Sequence, residues 1–365
     1  MNTPYLLPIS NIISETHDTV SIQMTLDSNQ KEAFDYKAGQ YLTIEVEVDG
    51  QSERRAYSLS SSPAEEVLQF SVKKVEGGKV SNYLNDKVKV GDSLTIFPPE
   101  GKFFALPEAA KSKDHYFIAA GSGITPVLSM IKTLLEEEER SCIYLLYGNK
   151  TEQDIIFKET LDALAARYEG QLFITHTLSR VEKKKKKLFG LLGSSTEGSW
   201  SGQKGRIDDE KIAYFLRDYP TRFNESHYYI CGPGDLITAT EHYLTNQGIK
   251  VGAIHKEYFT PVSTDNQVAA ASGSGQVTVV LDGEEFTVAV DESKTILEAI
   301  LDTGKNPPYS CTSGACASCM AKTVSGSVTM DSCLSLDDDE VADGFILTCQ
   351  SHPASGDVKI TYDDI

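Results

Sequence analysis

The sequence lacks any apolar run that approaches the roughly 20 residues of a membrane-spanning helix. Its first residues, MNTPYLLPISN, also lack the basic segment and long apolar stretch of a signal peptide. Basic residues are few, with 34 Lys and Arg against 53 Asp and Glu, and the net charge is −19. Because such a chain repels a polyanion, we expect a cytoplasmic protein that binds neither nucleic acids nor membranes.

Cysteine is scarce over most of the chain. Two of the seven cysteines, Cys142 and Cys231, precede residue 310, and the other five follow it. An odd number of cysteines, concentrated in one segment, argues against a secreted disulfide framework. Metal or redox chemistry near the C-terminus is the better interpretation.

The pattern of apolar residues predicts three domains. Residues 1–110 contain short strands with alternating or β-branched apolar positions, at 41–48, 56–59, 68–75 and 93–97, which favour an antiparallel β-barrel. Residues 111–261 alternate strands (HYFIAA, CIYLLYG, QLFITHT, HYYICG) with helices, of which one begins at Pro126 and another covers 154–168. Such alternation predicts an α/β domain with a parallel sheet.

A linker and an acidic C-terminal domain follow. Residues 262–275, VSTDNQVAAASGSG, are small and polar without periodicity. Residues 276–365 begin with a predicted hairpin turned at Asp282-Gly283 and a short helix in TILEAILDTG that ends at Gly304. From Gly275 onward, 16 acidic residues stand against 4 basic ones.

The C-terminal cysteines have the spacing C-x4-C-x2-C, at Cys311, Cys316 and Cys319, and Cys349 lies in the apolar segment FILTC, which we expect to be a strand. This spacing matches plant-type [2Fe–2S] ligation, and the small residues between the cysteines would let backbone N–H groups approach bridging sulfides. Structural zinc is the alternative, although the fourth cysteine has no paired ligand beside it. We expect Cys333 and Cys142 to be ordinary thiols.

Two stretches of the barrel carry groups suited to a phosphate and an aromatic ring. In Arg55-Ala56-Tyr57-Ser58, Arg55 supplies a bidentate guanidinium, Tyr57 an aromatic ring that can stack and Ser58 a hydroxyl donor. In GGKVS, two glycines free backbone N–H groups beside Lys79 and Ser81. Taken alone, RAYS is an ordinary strand and GGK a hairpin turn.

A third stretch, Gly121-Ser122-Gly123-Ile124-Thr125-Pro126, follows a strand and opens a helix, so its N–H groups can face a bound anion. It departs from the G-x-G-x-x-G dinucleotide fingerprint, because Pro126 replaces the third glycine. The acidic residue expected after the next strand is also missing, since Tyr147 is followed by Gly-Asn-Lys.

The order RAYS, GGKVS, GSGITP, ICGP and EYF over about 250 residues resembles the ferredoxin–NADP reductase family, and the C-terminal cysteine segment resembles a plant-type ferredoxin with a β-grasp fold. The resemblance implies an FAD-binding barrel, an NAD(P)-binding domain and a [2Fe–2S] domain. It implies FAD contacts from these residues: Arg55, Ala56, Tyr57 and Ser58, with Tyr57 on the isoalloxazine and Ser58 near N5, and Gly78, Lys79, Val80 and Ser81 on the pyrophosphate.

The same resemblance implies the nucleotide site. Its residues are Gly121, Gly123, Thr125 and Pro126, together with Cys231, Gly232 and Pro233 beside the nicotinamide, and Glu257 and Phe259 closing over the flavin. Ser58, Cys231 and Glu257 are the candidate catalytic residues. Tyr258 stands where fused relatives often have Arg. Ser179 and Arg180 after QLFITHT, with Arg206 in GRID, suggest NADPH rather than NADH, and the alternative for Arg180 is a solvated surface cation.

Five consecutive lysines lie in EKKKKKLFGLLGSSTEGSWSGQK, within residues 182–204. Like charges so close together repel one another, which favours a solvated loop. The alternative is a basic patch near the nucleotide site, or one that receives the acidic C-terminal domain or an acidic partner.

No paired carboxylates, catalytic triad or oxygen-activating motif is visible, so substrate chemistry should occur on another protein. The expected activity is conversion of a hydride from NADPH, through FAD, into single electrons on the cluster. The phrases YGNK, GRIDDEK, ICGP and PYSCTSGACASC resemble reductase subunits of the phenylacetyl-CoA epoxidase type, which implies a di-iron oxygenase partner. Alternatives are another acceptor (a different oxygenase, a flavodoxin or a hybrid-cluster protein) or a non-enzymatic, zinc-stapled interaction protein.

Overall fold

The N-terminal part of the chain is a sheet in which buried and exposed residues alternate along the strands. This computed structural model describes residues 3–181, 200–259 and 273–363. The elements of this part are β1 (Tyr5–Thr16), β2 (Thr19–Thr25), β3 (Tyr41–Val48), β4 (Gln51–Ser58), β5 (Val67–Lys73), α1 (Lys79–Asp86) and β6 (Ser93–Ile96). The six strands are antiparallel and lie in the order β4-β3-β6-β1-β2-β5. A bridge between Leu59 and Phe70 brings the two edge strands together, as in the predicted barrel.

The central sheet is parallel and its middle strands are buried on both faces, as expected for strands covered by crossover helices. Its elements are β7 (Asp114–Ala120), α2 (Ile124–Glu137), β8 (Cys142–Asn149), α3 (Lys158–Arg167), β9 (Leu172–Leu178), β10 (Gln203–Lys204), α4 (Asp209–Asp218), β11 (Ser226–Gly232), α5 (Gly234–Asn246) and β12 (Ile254–Tyr258). The strand order is β10-β9-β8-β7-β11-β12. The chain therefore reverses its direction of growth between β7 and β11, the position where open α/β sheets bind ligands.

The C-terminal part is a five-stranded sheet covered by one helix, the β-grasp arrangement. Its elements are β13 (Gly275–Leu281), β14 (Glu284–Val290), α6 (Ile296–Asp302), β15 (Met320–Ser325), β16 (Val328–Met330), α7 (Asp338–Ala342), β17 (Phe345–Leu347), β18 (Ser351–Pro353) and β19 (Asp357–Thr361). The large sheet has the order β14-β13-β19-β15-β17, and β16 pairs with β18. The multidomain fold class expected from the sequence is confirmed, with an antiparallel barrel, a parallel α/β sheet and a β-grasp unit.

Some element boundaries differ from the sequence-based prediction. The helix expected at Pro126 begins at Ile124 and ends at Glu137. The helix expected over 154–168 begins only at Lys158, because Phe157 adopts a left-handed conformation (φ 61°) after a short 3-10 turn. Cys349 lies in the 3-10 turn Thr348–Gln350 and not in the preceding strand. The lysine run and most of the predicted linker, 262–272, lie outside the described residues.

Three histidines stack across neighbouring strands of the parallel sheet. The ring centroids of His115 and His227 are 5.9 Å apart, and those of His227 and His255 are 5.5 Å apart. Glu138 pairs with His115 at 2.9 Å, and Glu225 pairs with His227 at 3.0 Å. Burial, together with the neighbouring His227 and His115, lowers the pKa of His255 to about 4.

The lowered pKa of His255 in this stack should make the stability of the protein depend on pH. A histidine whose pKa is lowered on folding contributes stability that is complete above its unfolded pKa and is lost as the pH falls through its folded pKa. We expect the free energy of unfolding to fall by about 1 to 2 kcal/mol from His255 between pH 6.5 and 4, less than the full shift in pKa would give, because solvent screens the partly exposed ring. Thermal unfolding of His255→Gln should show a weaker pH dependence in this range, whereas His242→Gln, at an exposed position on α5, should match the wild type. Equal slopes for wild type and His255→Gln would contradict this.

Candidate active site

The four candidate ligands in the C-terminal domain form two pairs of thiols. A hydrogen bond from Cys316 lowers the pKa of Cys311, and a hydrogen bond from Cys319 lowers that of Cys349. A binuclear cluster with two bridging sulfides needs two thiolates on each iron, so this pairing fits [2Fe–2S] ligation. No three His, Cys, Asp or Glu side chains within the described ranges are grouped as ligands of a single metal ion.

The backbone of the loop is shaped for such a cluster. Thr312, Gly314 and Ala317 have positive φ values of 55°, 74° and 58°. The loop turns its N–H groups toward sulfur, with Ser313 N 3.4 Å from Cys311 Sγ. Just before the first ligand, the hydroxyl of Ser310 is buried and has no hydrogen-bond partner among the described residues. An unpaired buried donor beside the thiols suits a sulfide acceptor.

The other two cysteines have the environments of ordinary thiols. Cys142 is buried at the start of β8, and Cys333 is half-buried, with its pKa raised by burial. Neither forms a disulfide. The expectation that only Cys311, Cys316, Cys319 and Cys349 ligate the cluster remains a prediction.

The two candidate phosphate-binding stretches of the barrel meet at Glu53. Arg55, half-buried on β4, lies 3.2 Å from this carboxylate, and the Lys79 ammonium lies 2.8 Å from it. The hydrogen bond from Lys79, with the charge of Arg55, lowers the pKa of Glu53. Two cations on one carboxylate leave a net positive charge, which suits a diphosphate. Tyr57 and Ala56, between these cations and Ser58, are half-buried on the same strand.

GGKVS is the start of a helix and not the hairpin turn that the local sequence also allowed. Gly78 is the N-cap of α1 and supplies no side-chain cap, so N–H groups of Lys79, Val80 and Ser81 in the first turn remain available to an anion. A Cβ at Gly78 would lie 2.6 Å from the Ser81 hydroxyl. The stretch therefore fits a pyrophosphate contact.

The glycines of GSGITP pack directly on the end of β11. A Cβ on Gly123 would lie 2.1 Å from the carbonyl oxygen of Cys231, so the turn can approach that strand only without a side chain. Gly121 has a φ of 55°, and the hydroxyl of Thr125, which is buried, donates to Ser122 O at 3.0 Å. The structure thus places GSGITP, with Pro126 in the first turn of α2, against Cys231, Gly232 and Pro233 at the switch point of the sheet.

The candidate 2′-phosphate residues follow two adjacent strands. Ser179 and Arg180 follow β9, and Arg206 follows β10, which pairs with β9 in parallel register. Both arginines are exposed, and neither pairs with an acidic side chain in the described part of the chain. At the end of β8, the buried Asn149 Nδ2 has no hydrogen-bond partner there. These groups share the carboxyl edge of the sheet with GSGITP.

Residues from all three parts of the chain meet around one small cavity of about 60 Å³. It is lined by Tyr41, Ala56, Ser58, Glu257, Tyr258, Phe259, Cys311, Ala315 and Cys316. Ser58 donates to Glu257 at 3.4 Å, and burial raises the pKa of this carboxyl to about 8. Burial also raises the pKa of Cys231 well above its usual range. At neutral pH both groups are therefore uncharged and hold their protons.

Tyr258 lines the small cavity together with Ala315 and Cys316 of the cysteine loop. It belongs to the same apolar cluster as Ala315, Cys311 and Leu334. The aromatic ring here thus lies beside the C-terminal domain. In the described ranges there is no helix long and apolar enough to cross a membrane.

Sequence reasoning missed several side chains of this site. Tyr41 lies with its hydroxyl 2.7 Å from both the carbonyl oxygen of Cys316 and the hydroxyl of Ser318. Glu53, Ser310 and Asn149 were also not identified. The neighbouring motifs RAYS, the cysteines and YGNK stand out in the sequence, but nothing in it indicates which side chains around a motif face the site.

Comparison with known proteins agrees with the three-part architecture. Family profiles match the oxidoreductase FAD-binding domain over residues 6–104, the oxidoreductase NAD-binding domain over 117–242 and the 2Fe-2S iron-sulfur cluster binding domain over 279–354. The cofactors of the chain are therefore FAD, NAD(P)H and a [2Fe–2S] cluster, as expected, and the chain is an oxidoreductase.

Similar proteins share the whole architecture. A component of 1,2-phenylacetyl-CoA epoxidase from Escherichia coli is 32% identical over 366 residues, with 100% of this chain and 99% of that protein covered. The ferredoxin reductase component of 3-ketosteroid-9-alpha-monooxygenase from Rhodococcus rhodochrous is 32% identical, with 98% and 96% covered. The structure of phthalate dioxygenase reductase, described as a modular structure for electron transfer from pyridine nucleotides to [2Fe–2S], superposes with a TM-score of 0.61 at 25% identity, covering 98% of each chain.

Substituting single cysteines should separate ligands from ordinary thiols. Cys349→Ser removes one thiolate of the Cys319 pair, so we expect loss of the broad visible absorbance and of most bound iron. The matched control, Cys333→Ser, lies in the same domain and should keep both. Iron content and the visible spectrum provide the measurements. A Cys349→Ser protein with wild-type iron content would show that the ligand set is wrong.

Proposed function

Since the chain belongs to the family of oxidoreductases that join FAD-binding, NAD-binding and [2Fe–2S] domains as reductase components of oxygenases, we propose that it supplies electrons from NADPH to an oxygenase. We further propose that this oxygenase is a di-iron enzyme of the phenylacetyl-CoA epoxidase type. The observation that carries the proposal is the shared cavity, because Ala56 and Ser58 of the candidate flavin strand and Cys311 and Cys316 of the cysteine loop all line it.

We propose three functional segments: an FAD-binding domain at 1–110, an NAD(P)-binding domain at 111–261 and a [2Fe–2S] domain at 276–365. When bound, the nicotinamide would supply a hydride, the flavin would divide the electron pair and the cluster would carry single electrons. The chain provides the positions of these groups. Arg55 and Lys79 with the N-terminus of α1 would bind the FAD diphosphate, and Tyr57 and Phe259 would lie against its rings.

Three uncharged groups border the proposed hydride-transfer position. Ser58 donates to Glu257, and the buried thiol of Cys231 lies at the end of β11 next to GSGITP. With a pKa of about 8, the Glu257 carboxyl holds a proton at neutral pH and can give it up as the pH rises. Thr125, Gly121, Gly123, Pro126, Gly232 and Pro233 shape the space for the nicotinamide.

The preference for NADPH is supported by Ser179, Arg180 and Arg206, which lie together after β9 and β10. A bidentate guanidinium suits a 2′-phosphate, and a charge-assisted contact of this kind contributes about 1.5 to 3 kcal/mol. The partner is supported by the 32% identity with the phenylacetyl-CoA epoxidase component over its whole length. The equal identity with the 3-ketosteroid monooxygenase reductase makes a different oxygenase the second candidate.

Arg180→Ala should raise the KM for NADPH by about tenfold or more, because the 2′-phosphate loses a charge-assisted contact, while the KM for NADH stays close to that of the wild type. Steady-state kinetics with both nucleotides measures this. Arg217→Ala, an exposed arginine on α4 that pairs with Asp218, is the control and should change neither value. Equal increases for both nucleotides would overturn the assignment to the 2′-phosphate.

Reconstitution tests the acceptor. The purified protein should show flavin peaks and a broad iron–sulfur absorbance that NADPH bleaches. Addition of phenylacetyl-CoA epoxidase oxygenase components should then couple NADPH oxidation to consumption of phenylacetyl-CoA. The oxygenase component of the 3-ketosteroid enzyme serves as the comparison. Coupling to that component alone would show that the acceptor is not an epoxidase of this type. A colourless, inactive protein would refute the reductase function.

A further inference from the structure

An arginine of the barrel is buried against the C-terminal domain. Arg54, on β4, is 6% exposed, although it neither lies in the apolar core of the barrel nor belongs to the four residues Arg55 to Ser58 assigned to FAD. Since a guanidinium is rarely buried without partners, its surroundings indicate what it stabilises.

Half of these surroundings come from the barrel. Arg54 Nε donates to Glu45 Oε2 at 2.5 Å, across the β3–β4 register in which the two residues are partners. Its guanidinium carbon lies 4.4 Å from the ring centroid of Phe97, which follows β6. These contacts hold the side chain in one orientation before anything docks on it.

The other half comes from a segment 252 residues later. Arg54 Nη2 donates to Asn306 Oδ1 at 2.9 Å, and the ring centroid of Tyr309 lies 4.6 Å from the guanidinium carbon. The guanidinium thus contacts one aromatic ring of the barrel and one of the C-terminal domain. Pro307 and Pro308 separate the two partners and restrict the backbone between them, so little freedom is lost on docking.

This contact joins two segments that each border a redox site along the chain. Arg54 immediately precedes Arg55, the first residue assigned to FAD, and Tyr309 lies two residues before Cys311, the first cluster ligand. Arg54 therefore holds the residues just ahead of the cysteine loop beside the strand assigned to FAD.

Other contacts that join the two domains lie elsewhere: Tyr41 meets Cys316 and Ser318, and Ser318 donates to Glu100, but these bonds act on the cysteine loop and not on Asn306 to Tyr309. Lys102 pairs with Glu340, but the lysine side chain is 63% exposed, and exposed pairs contribute little. A cavity of about 210 Å³ lies beside Arg54 between Phe97 and the segment Asn306 to Tyr309, so close packing does not fix this part of the interface. Specific bonds to Arg54 must do so.

We propose that Arg54 is a positioning residue, which clamps Asn306 and Tyr309 of the C-terminal domain onto the barrel and thereby sets the rate of electron transfer from the flavin site to the cluster. This inference rests on the proposed passage of electrons through the cluster. The guanidinium of Arg54 is neither a cluster ligand nor one of the groups assigned to FAD. Its effect should therefore appear in transfer between the two sites and not in reduction of the flavin.

Arg54→Met and Arg54→Lys in the full-length, cofactor-loaded protein test the clamp. Methionine removes the planar guanidinium and its charge. Lysine keeps the charge but cannot both stack on the rings and donate hydrogen bonds as a planar guanidinium does. Stopped-flow absorbance with NADPH should show flavin reduction at the wild-type rate and cluster reduction slowed by roughly tenfold or more, since a misplaced group costs that much. Lys102→Ala is the matched control at the same interface and should leave both rates unchanged.

Hydrogen exchange supplies a readout that does not depend on activity. Backbone amides at 303–310 should exchange faster in both Arg54 variants than in the wild type, and at the wild-type rate in Lys102→Ala. Wild-type exchange at 303–310 together with wild-type cluster reduction in Arg54→Met would overturn the proposal.

Tyr309→Leu removes the other side of the contact and leaves β4 unchanged, so it tests the clamp even if an Arg54 variant loses FAD. It should slow cluster reduction and speed exchange in the same way, provided that iron content is unchanged, and wild-type behaviour would again overturn the clamp. If NADPH reduced the flavin but not the cluster of the wild type, the proposed function would fail. Exchange at 303–310 would still decide whether Arg54 holds the domain.

Discussion

The 2.7 Å contact between the Tyr41 hydroxyl and the carbonyl oxygen of Cys316 brings the cysteine loop onto the barrel. Tyr41 is also the register partner of Ser58 across β3 and β4. One buried side chain thus connects the strand assigned to the flavin with the loop assigned to the cluster. Single electrons pass between two sites only when the sites are close, so the usefulness of every other binding element depends on this adjacency.

The two pairs of candidate cluster ligands differ in burial, and the more exposed pair lies on the side of the barrel. Cys319 and Cys349 are buried inside the C-terminal domain, whereas Cys311 and Cys316 are half-exposed and line the cavity beside Ser58 and Glu257. The second pair therefore faces the barrel and β12. Electrons arriving from the flavin site would meet this pair of ligands before the buried pair.

The sequence was most informative where a pattern is local. The Asp282-Gly283 turn has two positive φ values, 53° and 75°, as a two-residue hairpin requires, and Thr295 with Glu298 forms a capping box that starts α6. The cysteine spacing and the glycines of GSGITP are equally local, because they act within their own turn or against the next strand. Such signals are set by geometry within a few residues.

The inter-domain contacts were not predictable in this way. Arg54 stands beside RAYS with nothing to distinguish it from an exposed strand residue, since its partners Asn306 and Tyr309 lie in another domain, roughly 250 residues further along the chain. Tyr41 is similar, because only the assembled interface shows that its hydroxyl faces Cys316. GGKVS taken alone favours a hairpin turn, and it starts a helix because Val80 and Leu84 of α1 pack into the core of the barrel.

The contacts between the barrel and the C-terminal domain also indicate that electron transfer within the protein and transfer to an acceptor differ in their dependence on salt. Asn306 and Tyr309 meet Arg54 through neutral groups, and Tyr41 and Tyr258 contact the cysteine loop through a hydroxyl and an apolar ring. Stacking and buried hydrogen bonds are screened little by salt. The acidic side chains of Asp337, Asp338 and Asp339 remain exposed on the same domain. The charge of the C-terminal domain is thus largely unused in holding it on the barrel and stays available for an acceptor, whose binding should then depend on ionic strength more than internal transfer does.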